Sequence, residues 1–232
     1  MLHQIPIEQV LFLDIETVPA HENWEDVTPQ GQKLWDKKTK FQRQAEQSPE
    51  EYFHERAGVL AEFGKIICIS VGIVDKQGKL KIKSFADDDE HRLLEEFGQI
   101  FNSKALHNSL LCAHNGKEFD FPWIARRMLI LGMMPPKHFR MFGKKPWEIP
   151  HLDTMEMWKF GDWKNYTSLE LLAHVFGVPT PKDDIDGSQV AHVYYVEKDL
   201  PRIVTYCEKD VLTLANVFRR MRQEDLLERS DD

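Results

Sequence analysis

Two carboxylates, Asp14 and Glu16, stand one residue apart in the otherwise apolar run VLFLDIETVP. Residues two apart on a strand point to the same face, about 7 Å from each other, so this pair projects together. Ionised carboxylates in low-dielectric surroundings are costly unless a cation compensates them; a pair at a strand end emerging into solvent needs no such partner. A third acid, Asp120, falls early in the helix opened by HNGKEFDFPWIARRML, where Asn115 and Gly116 make a turn and Asn115 is a candidate cap. An acid at that place also simply favours the helix dipole. In TYCEKDVLTLANVF, Tyr206 and Asp210 are four apart and share a helix face, a spacing that ordinary structural helices share. Four carboxylates gathered with one phenol could hold hard divalent cations and orient a water, which is hydrolytic chemistry.

The elements that must carry these residues can be read from the apolar pattern. The run Val10–Ile15, ended by Pro19, predicts a strand buried on both faces. From about 20 to 62 the chain turns polar, and this predicts a partly helical insertion with helices near 30–46 and 49–62, the second started by SPEE. KIICISVGIVD and KLKIKSFA, joined by KQGK, predict an antiparallel hairpin. An amphipathic helix follows in DDDEHRLLEEFGQIF, then a strand in SLLCAH and a helix over about 118–131. MPPKHFRMFGKKPWEIP predicts a loop, IPHLDTMEM a strand, and SLELLAHVFGV a short helix closed by Gly177. Beyond the loop PTPKDDIDG lie predicted helices at about 188–196 and 200–222, then a polar tail. A hairpin followed by strand and helix alternation implies an α/β fold: a mixed sheet, antiparallel hairpin plus parallel strands, flanked by helices. The expectation is one domain over residues 1–232.

In their order and separation the three acidic stretches resemble the motifs of the DEDD superfamily of 3′-5′ exonucleases, which has an RNase H-like fold. DIE at 14–16 is similar to the first motif, NGKEFD at 115–120 to the second, and YCEKD at 206–210 to the third. The histidine branch carries His five residues before the last Asp; here Thr205 stands there and Tyr206 follows, as in the tyrosine (DEDDy) branch. FGKIICISVGI and DIDGSQV further resemble stretches of the predicted exonucleases related to family B DNA polymerase proofreading domains. The resemblance implies a two-metal phosphodiester hydrolase that releases nucleoside 5′-monophosphates from a 3′ end. It implies two Mg²⁺ or Mn²⁺ ions, with Asp14 bridging both, Glu16 and Asp210 completing the site of the nucleophilic water, and Asp120 holding the second ion. Tyr206 would orient that water, since an ordinary tyrosine pKa near 10 makes it a poor base. Thr17 and Val18 through their backbone, together with Asn115 and Phe119, are the candidate substrate contacts. The expected substrate is nucleic acid with a free 3′ end, single-stranded DNA in the first place. RNA ends are the alternative among enzymes, and a non-catalytic nucleic-acid-binding partner of a polymerase or repair complex the alternative outside them. Proofreading or DNA repair alongside a polymerase would take place in trans.

Two basic runs bear on the substrate. Lys137, His138, Phe139, Arg140, Lys144, Lys145 and Trp147 mix positive charge with rings, as a track for a single strand does and an ordinary solvated loop also can. Lys37, Lys38, Lys40 and Arg43 describe a solvated helix face. The formal net charge of −8 argues weakly against coating a duplex by bulk electrostatics. Cys68, Cys112 and Cys207 stand singly, without disulfide or zinc spacing, and His107, His114, His151, His174 and His192 lack compact metal-ligand spacing with them. No apolar run reaches the roughly 18 residues that span a bilayer, and a cytoplasmic protein with reduced core cysteines and no membrane partner is expected.

Overall fold

Five strands form one sheet in the order β3-β2-β1-β4-β5. The structure, a computed structural model, describes residues 2–162, 164–180 and 185–230. The apolar run makes β1 (Val10–Pro19) the central strand, antiparallel to β2 (Gly64–Val74) and parallel to β4 (Leu110–Ala113). β2 turns into β3 (Leu80–Ala86) through Asp75–Gly78, where Gly78 takes φ +79° and the Asp75 carboxylate accepts the N–H groups of Gln77 and Lys79. β4 pairs in parallel with the two-residue β5 (Leu152–Asp153). The sheet is thus mixed, and both faces of β1 are covered, which explains its nearly unbroken apolar sequence.

Alternation along β1 divides the core. Leu11, Leu13 and Ile15 pack against α3 (Glu90–Gln99) and α4 (Asp120–Ile130), while Val10 and Phe12 meet the long C-terminal helix α8 (Leu200–Met221). A buried ion pair ties the first layer together. Arg127 of α4 bonds both oxygens of Glu90 at 2.6 and 2.9 Å and the carbonyl of Ala61, and Glu90 also accepts the N–H of Ile66.

The chain between β1 and β2 contains α1 (Pro29–Thr39) and α2 (Pro49–Arg56), packed on each other through Trp35, Tyr52 and Phe53. Both are shorter than expected. The Thr39 hydroxyl closes α1 on the Trp35 carbonyl, and the polar stretch beyond it supplies no buried face. After α2, the carbonyls of Gly58, Val59 and Ala61 are taken by Thr17, Trp123 and Arg127, so they serve tertiary contacts instead of extending a helix. The basic run is exposed except for half-buried Arg43, with Lys38 paired to Glu62 and Arg43 to Asp36.

Three other expectations change. The strand foreseen over 149–157 is paired only at Leu152–Asp153, because Asp153 caps α5 (Thr154–Lys159) by accepting from Met155 and Glu156. The helix foreseen over 188–196 is α7 (Val190–His192), which widens into a π-helical turn at Val193–Glu197; part of the preceding loop, 181–184, lies outside the described residues. The tail is not merely polar. Leu227 is buried, Asn216 bonds its backbone at both N–H and carbonyl, and Glu228 and Ser230 bond Leu80. The short helix expected near 168–178 is α6 (Leu169–Phe176), closed by Gly177 at φ +63°.

Among the described residues no helix is long and apolar enough to cross a membrane. Arg127→Met should destabilise the chain by about 3–5 kcal/mol in urea unfolding, because it leaves the Glu90 carboxylate buried and unpaired. Changing Glu90 to Gln in the same chain should restore part of that loss.

Candidate active site

Asp14 and Glu16 continue the parity of Val10 and Phe12, so they face α8. A bulge opens between Glu16 and Thr17, where the partner register jumps from Cys68 to Ile66, and bulges commonly re-aim side chains beside functional sites. Across this face, α8 buries a stripe through Ile203, Cys207, Val211, Leu214 and Phe218. Tyr206 and Asp210 precede two of those positions and are half-buried beside the carboxylates. The Cys207 thiol lies 3.3 Å from Asp14 Oδ2, and donor atoms of Asp14, Glu16 and Cys207 all lie within 4.8 Å of one another.

Asp120 arrives from the other layer. It begins α4, is 4% exposed, and accepts bonds from its own N–H and from that of Ile15 in β1. The turn that delivers it depends on Asp153, a buried acid the sequence reading passed over. Its carboxylate accepts the N–H of Asn115 and of Lys117, both at 3.0 Å, besides capping α5. Only its place in a run read as strand argued against a cap there; the signal available was Asp followed by TMEM, a helix start. Asn115 is not the side-chain cap expected of it. It sits at φ +62°, and its carbonyl receives Glu118 and Phe119 while Phe119 holds the N-cap position. Gly116 is required, since a Cβ there would come within 2.3 Å of that of Ala113.

Crowding sets the electrostatics. Burial, then the charges of Asp210 and Asp120, push the Asp14 carboxyl well up, and the Cys207 thiol opposes this by hydrogen bonding. Burial, then Asp14 and Asp210, raise Glu16. Burial pushes Asp120 up to about 7, with its two N–H bonds opposing and Asp153 adding. Tyr206 is raised by burial and by the charges of Asp210, Glu16 and Asp14, and its hydroxyl bonds Asp210. Burial also raises Cys207, so it serves Asp14 as a thiol donor. Oxygen donors that raise one another in this way suit a hard divalent cation, which removes the repulsion.

Of the expected substrate contacts, Thr17 and Val18 directly follow Glu16 in β1, and Asn115 and Phe119 lie in the turn that leads to Asp120. Val18 is fully buried, Thr17 spends its hydroxyl on Gly58 at 2.6 Å, and Phe119 is half-buried against Trp123. Of the basic-aromatic loop, His138 and Phe139 are core residues, which removes them from any track. Phe142 and Trp147 are exposed, but their loop starts from the end of α4 remote from Asp120, about 16 Å along an eleven-residue helix. His114 and His151 are structural: His114 joins Thr154 to the Thr167 carbonyl, and His151 joins Leu111 to that of His138.

A profile of the family described as "Predicted 3'-5' exonuclease related to the exonuclease domain of PolB" matches residues 59–229, which include Asp120, Tyr206 and Asp210 but not Asp14 or Glu16. No curated protein matches the chain. Among solved structures, the family B DNA polymerase from the hyperthermophilic archaeon Pyrobaculum calidifontis is similar, with a TM-score of 0.53 and 16% identity over 89% of this chain. The chain spans 24% of that polymerase. The likeness is one of fold, the RNase H-like exonuclease arrangement of a mixed sheet between helices.

A carboxyl with a raised folded pKa stabilises the fold only while it keeps its proton. Its contribution is complete below the unfolded value near 4 and lost as pH rises toward about 7. With chelator present, Asp120→Asn should therefore gain stability over the parent as pH rises from 4 to 8, by up to a few kcal/mol. Urea unfolding at a series of pH values reads this difference, and a flat difference would remove the assigned environment of Asp120.

Proposed function

Because the chain belongs to the family of predicted 3′-5′ exonucleases related to the exonuclease domain of PolB, we propose that it shortens single-stranded DNA from the 3′ end, releasing nucleoside 5′-monophosphates. The observation that carries this reading is the convergence of Asp14 and Glu16 from β1, Asp120 from α4, and Tyr206 and Asp210 from α8 at one end of the sheet. Asp14, Glu16, Asp120 and Asp210 would hold the metal ions, and Mg²⁺ or Mn²⁺ bound there would polarise a water and neutralise charge on the leaving oxygen.

The remaining chemistry falls to the chain's own groups. The water oxygen attacks the phosphorus of the terminal phosphodiester in line and the bond to the 3′ oxygen breaks; the proton the water sheds passes to solvent, and the departing oxygen takes one from solvent to become the new 3′ hydroxyl. Tyr206 stays protonated because burial and three neighbouring carboxylates oppose its ionisation, so it aims the water and does not take its proton. Cys207 and the Ile15 N–H act as positioning groups, holding Asp14 and Asp120 in single orientations. Proofreading or repair beside a polymerase is the role that such an activity would serve.

Digestion of matched 5′-labelled DNA and RNA strands, with Mg²⁺ or Mn²⁺, tests the reading. A ladder of shortening DNA is expected, abolished by Asp14→Ala. Tyr206→Phe should lower kcat by about 10²–10³-fold with little change in KM, as loss of one oriented hydrogen-bonding group does. Faster loss of RNA would reassign the substrate; no ladder on either polymer, in a folded chain, would sink the enzyme reading in favour of a binding module.

A further inference from the structure

The segment that joins α5 to α6 carries more exposed aromatic surface than its packing explains. Phe160 is 91% exposed and Tyr166 65% exposed, and the Lys159 ammonium lies 4.2 Å from the centre of the Tyr166 ring. Phe160 also stands at φ +44°, a left-handed backbone that a bulky residue adopts at a cost and that glycine would adopt freely. An exposed ring kept in a strained position points to a use for the ring.

Its place in the fold supplies the use. Phe12 pairs with Cys112 and Ala113 with Asp153, so Asp14, His114 and Thr154 lie level at the same end of adjacent strands. His114 then ties the start of α5 to the far end of the segment, since Nδ1 bonds the Thr154 hydroxyl and Nε2 donates to the Thr167 carbonyl, each at 2.9 Å. Tyr166 is thereby fixed one residue from a contact that is itself one residue before Asn115. Lys164, two residues before Tyr166, is exposed; Asp162 is occupied by the Lys164 backbone N–H, and Glu156 by the Lys117 ammonium.

We propose that Phe160 and Tyr166, with Lys159 and Lys164, form a stacking platform for the nucleotides upstream of the 3′ terminus, steering a single strand toward the carboxylates. The proposal rests on the nuclease reading and replaces the 137–147 loop as the track. Bases stack on aromatic faces irrespective of sequence, and the two lysines meet the phosphates between them. A duplex cannot use such a platform without unpairing, so the platform selects single strands.

The test is binding, measured by fluorescence anisotropy with a 5′-labelled DNA strand of about 15 nucleotides, a length within the span of single-strand sites. The parent is Asp14→Asn, which binds without turnover under the nuclease reading. Adding Phe160→Gly or Tyr166→Ala should each weaken binding about five- to one-hundred-fold, and Phe160→Trp should retain it. Phe160→Gly should leave the melting temperature equal or higher, because it relieves the backbone, so its loss of affinity cannot be unfolding. Unchanged affinity in both variants, or no binding by the parent while the wild-type chain still shortens DNA, overturns the platform and leaves the nuclease standing. If the wild-type chain neither binds nor shortens DNA, both readings fall.

Discussion

Four carboxylates held where water is scarce are the constraint around which this structure is arranged. Asp210 and Asp120 raise the proton affinity of Asp14, Asp14 and Asp210 raise that of Glu16, and left to themselves such groups would move apart. They cannot, because each stands on an element clamped by the core: β1 between two helical layers, α8 by Phe12 against Phe218, and α4 by the Arg127–Glu90 pair. Burial thus supplies the force that holds like charges together, and a small set of donors fixes their directions. The Cys207 thiol, the Ile15 N–H and the Tyr206 hydroxyl each address one carboxylate. A divalent cation added to such a set meets ligands already aimed, which limits the ordering that binding has to supply.

The sheet edge performs a second task. Asp153 and His114 make no part of the acidic cluster, yet each ties two segments. Asp153 joins the turn before α4 to the start of α5, and His114 joins Thr154 to Thr167. Asp120 and the exposed rings of Phe160 and Tyr166 are therefore referenced to the same short stretch after β4. If the rings hold a strand as proposed, a displacement of that stretch moves the grip and the acid together, which keeps a terminal phosphodiester in register with the carboxylates.

The apolar runs marked β1, the β2–β3 hairpin, β4, α3, α4 and α8, because each has a period that only one kind of element can bury. The three acidic stretches were legible for a related reason: each interrupts or borders an apolar pattern with a residue that the core has no need of. Elements that depend on side-chain bonding were not legible. β5 shrank to two residues because Asp153 caps a helix, and α2 stopped because Gly58, Val59 and Ala61 spend their carbonyls on distant partners. The aromatic-basic loop at 137–147 was read by composition, and two of its members proved to be core.

By itself the sequence determined that Asp14 and Glu16 share a face, that Tyr206 and Asp210 share another, and that both lie on segments apolar enough to be buried, since strand and helix periods are local properties. Only the tertiary structure decided that those faces meet, that Cys207 touches Asp14, and that Phe160 and Tyr166, not His138 and Phe139, are left facing solvent. These outcomes depend on contacts between residues far apart in the chain, and no local period records which distant residue will compete for a donor, an acceptor or a place in the core.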